Sequence, residues 1–129
     1  MPRLIIQTVT AIVVALFLIN TDTVAIHFES TIVDDFIMVF WIIGICNSIN
    51  FFDNLDGGAA GTVAVSSLGI AAIALGEGQE LIAALSIVTA GSTLGFLMWN
   101  KSPAKIYMGD AGALFLGIIV SVLTIRLNP

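Results

Sequence analysis

The sequence predicts an all-α fold, a polytopic bundle of about five transmembrane helices, and three observations support this prediction. Apolar residues make up 58% of the 129 residues, and charged residues only 10%. The mean hydropathy is strongly positive, at +1.08. About 20 mostly apolar residues cross a bilayer, and five runs approach that length, over residues 4–20, 36–52, 61–76, 81–99 and 112–127. We therefore treat residues 1–129 as a single transmembrane domain.

The first apolar run has two interpretations. Residues 4–20 follow one positive charge at Arg3, which is typical of a first transmembrane helix and also of a signal peptide, here with a weak cleavage site at 23–25. We interpret the run as an uncleaved helix and keep the signal peptide as the alternative. In the connection that follows, apolar residues alternate at Val24, Ile26 and Phe28, and Ile32 and Val33 follow after a polar break, which predicts a short β-hairpin in this outer loop.

The placement of positive charge predicts which connections face the cytoplasm. If the five runs cross the membrane in succession, Arg3, Lys101 and Lys105 share one side. The positive-inside rule makes that side cytoplasmic. Residues 53–60 and 100–111 are then expected on the cytoplasmic face of the inner cell membrane.

Several other features are interpreted as structural. Asp34 and Asp35 fall in the first outer connection, away from the other carboxylates, so we expect no catalytic role for them. Cys46 is the only cysteine and lies within an apolar run, which is typical of a packing residue. Gly91 and Gly95 form a small-xxx-small pair, which predicts a helix-packing seam. Four lysines and arginines in all are too few for a nucleic-acid surface.

The end of the second apolar run carries polar residues at intervals of three. These are Asn47, Asn50, Asp53 and Asp56, and Gly57 follows them. Residues three apart are neighbours on a helix surface, and polar groups at the edge of the bilayer need partners. Each residue alone fits a structural role, as helix glue or a solvated helix end. Their common register, ending in a glycine that lets another group approach the backbone, predicts a site.

A second polar segment, WNKSPAKIYMGDAG, covers residues 99–112 on the same predicted face. It contains Lys101, Lys105, Tyr107 and Asp110. These residue types favour a phosphate site, because carboxylates bind Mg²⁺, lysines neutralise phosphate oxygens and an aromatic ring can stack on a base. In the alternative interpretation the lysines only determine topology and the tyrosine anchors the chain at the interface.

Together the two segments resemble the polyprenyl-phosphate N-acetylhexosamine-1-phosphate transferases. The pattern N-x-x-N-x-x-D-x-x-D-G covers residues 47–57, and P-A-x-x-x-M-G-D-x-G covers residues 103–112. Members of that family transfer a sugar-1-phosphate from a UDP-sugar to a membrane polyprenyl phosphate, release UMP and use Mg²⁺, in cell-envelope glycan biosynthesis. The resemblance covers nearly the whole chain, and residues 104–117 are more similar to the GlcNAc-1-phosphate branch than to the muramoyl-pentapeptide branch.

The resemblance implies a role for each matched residue. Asp53 and Asp56 are expected to be catalytic and Asp110 to be the main Mg²⁺ ligand. Asp53 would orient or deprotonate the lipid phosphate or help to position the metal, with a covalent aspartyl intermediate as the alternative. The expected substrate-binding residues are Asn47, Asn50, Gly57, Asn100 and Tyr107, with further phosphate contacts from Lys101 and Lys105.

The chain also departs from the family pattern. Asn54 stands where the family carries the glycine of a D-G pair, and Ala113 where a serine is usual. An upstream D-D motif and a C-terminal histidine-rich loop of the family have no counterpart, so we expect the middle part of a family member with little transfer activity alone. The expected partners are a UDP-sugar, polyprenyl phosphate, and a second copy or further segments of a longer chain. A noncatalytic membrane module or degenerate fragment is the alternative, and a small cation transporter is a third.

Overall fold

The computed structural model describes the backbone of residues 2–21 and 31–128, with side chains from residues 5–21 and 32–128. Within these ranges the regular secondary structure is all α-helical and includes no strand, which confirms the predicted all-α fold class. The helices are α1 (Pro2–Asn20), α2 (Thr31–Phe52), α3 (Gly58–Gly76), α4 (Glu80–Asn100) and α5 (Gly109–Arg126). By length and composition α2 to α5 can each cross a membrane, and α1 adds a shorter apolar stretch, Ile5–Asn20. The chain is a multi-pass membrane protein.

The start of α2 differs from the prediction. The helix begins at Thr31, so Asp34 and Asp35 lie in its first turns and not in the preceding connection. A carboxylate in the first turn is stabilised by the positive end of the helix dipole, which is why the charged pair does not delay the helix. Residues 31–33 of the predicted hairpin are also helical. The rest of that hairpin, which includes His27, lies outside the described residues.

Helices α3 and α4 form the closest pair in the bundle because their buried surfaces carry small residues. Those buried positions are Ala60, Ala64, Ser67, Ala71 and Ala74 of α3 and Ala83, Ser86 and Ala90 of α4. Small side chains at spacings of three and four let two helix backbones approach closely in a membrane. The predicted seam at Gly91 and Gly95 is wrong for the described helices, since both glycines are exposed and a Cβ at either would meet nothing within 4 Å.

Helix α2 packs antiparallel against α5, and two contacts define the register of this pair. Trp41 Nε1 donates a hydrogen bond to Thr124 Oγ1 at 2.9 Å. Farther along α2, the buried Cys46 lies against Gly117, where an added Cβ would be 2.7 Å from the Cys46 Cα. The predicted packing role of Cys46 is therefore confirmed. Continued by two more turns, this register brings the C-terminal end of α2 to the N-terminal end of α5.

The helices alternate in direction, so the two polar segments meet at one end of the bundle. Residues 53–57 and 100–108 are hydrogen-bonded to each other there. At the other end Gln79 Nε2, in the α3–α4 turn, donates to the Asn128 carbonyl oxygen at 2.6 Å. At 1.5 Å per residue, Asp34 lies about 27 Å along α2 from its end at Phe52. The acidic pair at the start of α2 is thus far from the carboxylates of the two motifs.

Candidate active site

Two adjacent glycines make the sharp connection between α2 and α3. Gly57 has φ of 75°, in the left-handed region that favours glycine. A Cβ at Gly58 would clash with the carbonyl oxygen of Phe52, at the end of α2. The chain can therefore turn back into α3 within residues 53–57, and the side chains on this short connection are held near the end of α5.

One group of polar side chains joins α2 to α5. Asn50 Nδ2 donates to Asp110 Oδ1 at 3.2 Å, a contact between residues 60 positions apart. Asp53, one residue beyond α2, accepts a hydrogen bond from the Gly109 backbone N–H. We call Asn50, Asp53 and Asp110 the carboxylate cluster. Its residues come from both sequence motifs, so the structure brings together the two segments that the sequence predicts to share a face.

The electrostatics of the cluster are set by Asp53. Burial raises the pKa of this carboxyl, the negative charge of Asp110 raises it further, and the Gly109 N–H bond opposes both effects. Desolvation and a like charge both disfavour the ionised form of a carboxyl. A pair of carboxylates in this arrangement favours a group that brings positive charge, either a proton or a cation.

A second group of polar side chains ties the two connections together through the backbone. Asp56 Oδ2 accepts a hydrogen bond from the Ala104 N–H at 3.0 Å. Asn100 Oδ1 accepts from the Gly57 N–H at 3.1 Å, while its Nδ2 donates to the Ile106 carbonyl oxygen at 2.9 Å. The Asn100 side chain is only 3% exposed. We call Asp56 and Asn100 the loop brace, because their bonds hold the segment after α4 against the segment before α3.

The remaining predicted site residues lie on the same two polar segments and have contacts of their own. Lys105 Nζ lies 5.6 Å from the centre of the Trp99 ring, in a cation–π contact. Lys101 is exposed, and Tyr107 is 73% exposed with its ring open to a ligand. Asn47 donates through Nδ2 to a backbone carbonyl one turn earlier in α2, at 2.8 Å.

The donor set of the cluster fits Mg²⁺. Asp53, Asp110 and Asn50 offer two carboxylates and one amide oxygen, all hard oxygen donors. Mg²⁺ is usually held by one or two carboxylates together with substrate phosphates and several waters. The described residues contain no group of three or more His, Cys, Asp or Glu placed to hold a metal. The cluster therefore fits a magnesium ion shared with a phosphate ligand, and it does not fit a closed structural metal site.

The sequence prediction missed the backbone groups of the site. The N–H groups of Ala104 and Gly109 and the carbonyl of Ile106 are all bonded to predicted side chains. Side-chain motifs do not report such groups. The available signal was the combination of Pro103 and Gly109 around them, because both residues interrupt regular structure and leave backbone groups for side chains to bind.

The chain is similar to known proteins over most of its length. The sequence pattern of glycosyl transferase family 4 matches residues 1–128. A probable undecaprenyl-phosphate N-acetylglucosaminyl 1-phosphate transferase of Bacillus subtilis (strain 168) is 53% identical over 87 residues, which are 67% of this chain and 24% of that protein.

Relatives of a second kind are more distant in sequence. A phospho-N-acetylmuramoyl-pentapeptide-transferase of Streptococcus thermophilus (strain CNRZ 1066) is 39% identical over 70% of this chain and 27% of its own length. One of Chlamydia trachomatis serovar L2 is 39% identical over 79% of this chain and 31% of its own length. The chain thus spans between a quarter and a third of these curated relatives. No solved structure matches it.

Proposed function

The chain belongs to glycosyl transferase family 4, and from this premise we propose that it forms the central part of a catalytic domain that transfers a sugar-1-phosphate. The donor in this proposal is a UDP-sugar, with an N-acetylhexosamine as the sugar, and the acceptor is a membrane polyprenyl phosphate. The names of the relatives support these substrates, and the greater identity to the N-acetylglucosaminyl 1-phosphate transferase favours N-acetylglucosamine. The observation that carries the proposal is the contact between Asn50 and Asp110, which joins the two motifs into one oxygen-rich site.

The reaction replaces one phosphoanhydride bond by another. An oxygen of the lipid phosphate attacks the β-phosphorus of the UDP-sugar, and the bond from that phosphorus to the oxygen bridging to UMP breaks. Mg²⁺ held by Asp110 and Asn50 would neutralise the charge that develops on the departing UMP. Asp53 lies beside Asp110 and would orient the lipid phosphate or accept its proton. A base with a raised pKa suits this step, because a phosphate monoester loses its second proton near pH 6.

The residues around the cluster would hold the nucleotide. Lys101 and Lys105 place two positive charges on the connection that follows α4, and phosphoryl transfer depends on such charges around the diphosphate. The exposed Tyr107 ring offers a surface on which uracil can stack. The loop brace holds this connection against residues 53–57. In our proposal the brace therefore positions the nucleotide-binding residues relative to the carboxylates.

The placement of charge argues against a cation transporter. In the described chain the ionisable residues of α2 and α4, which are Asp34, Asp35 and Glu80, lie in the first turns of their helices. Asp110 and Arg126 likewise lie at the two ends of α5, and α3 has none. A transport path requires ionisable groups deep in the membrane. These charges instead collect at the ends of the bundle.

Binding of the donor substrate tests the proposal. The purified chain in lipid nanodiscs should bind UDP-N-acetylglucosamine in the presence of Mg²⁺ and lose this binding when EDTA removes the ion. ADP-glucose serves as the matched control nucleotide sugar and should bind much more weakly, because its purine does not match a uracil subsite. Absence of UDP-sugar binding, or binding that EDTA leaves unchanged, would overturn the proposal.

The cytoplasmic orientation of the site is a separate part of the proposal. Single cysteines at Asn54 and Ser102, in a Cys46→Ser background, lie in the two connections that carry the motifs. In intact cells an impermeant thiol reagent should leave both unlabelled, and inverted membrane vesicles should expose both. Labelling of either residue from outside would reverse the orientation predicted from Arg3, Lys101 and Lys105.

A further inference from the structure

A small cavity lies between α1, α2 and α5, one helical turn from the carboxylate cluster on its membrane side. It is lined on α2 by Cys46, one turn before Asn50, and on α5 by Leu114, one turn after Asp110. The Cys46 sulfur lies 3.8 Å from the Leu114 carbonyl oxygen, just as Asn50 contacts Asp110 one turn farther on. The cavity therefore borders the helix pair that carries the site, although no residue assigned to the site lines it.

Gln7 of α1 is the polar residue that distinguishes this cavity. The residue lines the cavity and is only 7% exposed. No hydrogen bond joins its side chain to another group in the described part of the chain. The buried hydroxyls of Thr89, Thr93 and Ser121, by contrast, each donate to a carbonyl of their own helix. An unpaired amide in an apolar interior is costly, so we expect a partner for Gln7 within the cavity.

The size and charge of the cavity restrict what that partner can be. The volume is about 40 Å³, and one water molecule needs about 10–15 Å³. A nucleotide, a sugar ring or a lipid headgroup is far too large for this space. None of the lining residues is charged, so a bound ion would have no counter-charge. A partner of this size and neutrality is water.

The lining also offers the hydrogen-bonding groups that a buried water needs. Buried waters typically make about three hydrogen bonds, whereas purely apolar cavities stay dry. The Gln7 amide has one acceptor oxygen and two N–H donors. Thr10 Oγ1 donates to the Ile6 carbonyl at 2.8 Å and keeps its own lone pairs to accept from a water. The Cys46 sulfur is a further, weak acceptor. Polar groups from two helices thus line a space of sufficient size for water.

We propose that this cavity is a water-binding site, in which the Gln7 amide and the Thr10 hydroxyl hold a water molecule against the Cys46 thiol. The water then joins α1 to the helix pair that carries Asn50 and Asp110. The inference goes beyond the proposed function and does not depend on it, since no nucleotide, lipid or metal ion takes part. It also explains why a glutamine is buried in the apolar α1.

The Cys46 thiol can report water in the cavity directly. It is the only cysteine of the chain, and its S–H stretching band lies where other protein groups do not absorb in the infrared. In D₂O a thiol exchanges its proton when water reaches the sulfur. In lipid vesicles the parent chain should convert S–H to S–D well before the slowest backbone amides, which exchange only when the bundle opens. An S–H band that persists as long as those amides would overturn the proposal.

Gln7→Met tests whether the amide holds the water. Methionine has nearly the same length and volume but no amide, so it keeps the packing and removes the hydrogen bonds. Loss of one or two bonds to the water should lower its occupancy, and with it the rate of S–H exchange, by about tenfold. Gln79→Met is the matched control in the α3–α4 turn, at the other end of the bundle, and should exchange like the parent. Equally fast exchange in Gln7→Met and the parent would overturn the role of Gln7.

A second pair of variants carries the test if Gln7→Met does not fold. Thr10→Val removes the hydroxyl from the cavity and should slow S–H exchange. Thr89→Val removes a hydroxyl with the same kind of bond, to the Leu85 carbonyl at 2.8 Å, and should not. Equal exchange in these two variants would contradict the proposal.

Thermal melting gives an independent measurement on Gln7→Met. If the cavity is dry, the substitution removes an unpaired buried amide and should raise the melting temperature. If water occupies the cavity, the substitution removes hydrogen bonds that are made and should lower the melting temperature. A lowered melting temperature together with slower S–H exchange supports the water site, and a raised melting temperature overturns it.

Discussion

The carboxylate cluster and the loop brace come from the same two motifs and lie at the same end of the bundle, but they are built differently. The cluster joins side chain to side chain, from Asn50 to Asp110, and concentrates two negative charges. The brace joins the side chains of Asp56 and Asn100 to backbone groups. A regular spacing of polar residues in the sequence thus contains two kinds of residue, one suited to bind a cation and one suited to hold the loops.

The largest expected effect is at Asp110, in the cluster. Asp110→Asn removes a negative charge from the site while keeping a side chain of the same shape, and a neutral amide is a poor substitute for a carboxylate on Mg²⁺. We expect the affinity for the UDP-sugar in the presence of Mg²⁺ to fall by more than about 100-fold. Even residues that only hydrogen-bond to a metal ligand change metal affinity by about 10–100-fold when they are substituted. Calorimetric titration measures the loss. Thermal melting should match the parent, and retained binding would move the metal assignment to Asp53.

The next largest effect is expected at Asn100, in the loop brace, where a substituted aspartate would gain or lose its charge with pH. In Asn100→Asp the protonated carboxyl can still accept from the Gly57 N–H and donate to the Ile106 carbonyl. The ionised form loses that donor and repels the carbonyl. We expect the variant to be destabilised by about 1–3 kcal/mol at pH 8 and to regain this stability as the pH falls to about 4, where the carboxyl is protonated in the folded and the unfolded state.

Thermal melting across this pH range measures the switch. Asn20→Asp is the matched control, since Asn20 also donates through Nδ2 to a carbonyl but is exposed. UDP binding, measured relative to the parent at the same pH, should follow the melting curve in Asn100→Asp, because the brace acts on the ligand only through loop position. Relative binding that is also lost at low pH would indicate that Asn100 contacts the nucleotide directly.

A smaller effect is expected at Gly57, whose backbone N–H is bonded to Asn100 of the loop brace. Gly57→Ala forces a residue with a Cβ into φ of 75° and puts that atom 2.9 Å from Leu97 Cδ1. The left-handed conformation alone costs about 1–2 kcal/mol. Gly69→Ala is the control, because Gly69 lies within α3 and a Cβ there meets nothing within 4 Å. Denaturation should show a loss of stability for Gly57→Ala only, and equal stabilities would contradict the brace geometry.

The smallest effect concerns the pH dependence of the cluster. Since the pKa of Asp53 is raised, this carboxyl takes up a proton at a higher pH than an ordinary aspartate does. The folded state binds that proton more tightly than the unfolded state, so acidification through this range stabilises the fold. The same proton removes a charge that favours Mg²⁺. We expect UDP-sugar binding to weaken on acidification, beginning at a higher pH than for an ordinary aspartate and without unfolding, and a flatter profile in Asp53→Asn.

The sequence predicted the helices and the meeting of the two motifs because these depend on long apolar runs and on the parity of membrane crossings. It could not predict which helix face is buried. In a bilayer the lipid-facing side is as apolar as the packed side, so periodicity carries little information, and Gly91 and Gly95 were assigned to a seam on the wrong face. The start of α2 was missed for a similar reason, since the charges of Asp34 and Asp35 were taken to mark a loop.

The sequence also does not predict that the site divides into the carboxylate cluster and the loop brace. Whether Asp56 or Asp53 lies beside Asp110 depends on the turn at Gly57 and on the irregular path of residues 101–108. The bonds of Asn100 span 43 positions to Gly57 and six to Ile106. Such contacts follow from the loop conformation, which no periodic pattern specifies. The motifs therefore predict the candidate members of the site but not the partner of each side chain.

The most direct test of the account is to ask which aspartate holds the cation. Mn²⁺, used in place of Mg²⁺, can be followed by electron paramagnetic resonance with saturating UDP and the chain in nanodiscs. We predict that the parent and Asp56→Asn bind one Mn²⁺ with similar affinity, because asparagine at position 56 still accepts from the Ala104 N–H, and that Asp110→Asn loses the bound ion. Loss of the ion in Asp56→Asn together with its retention in Asp110→Asn would contradict the division of the site into a carboxylate cluster and a loop brace.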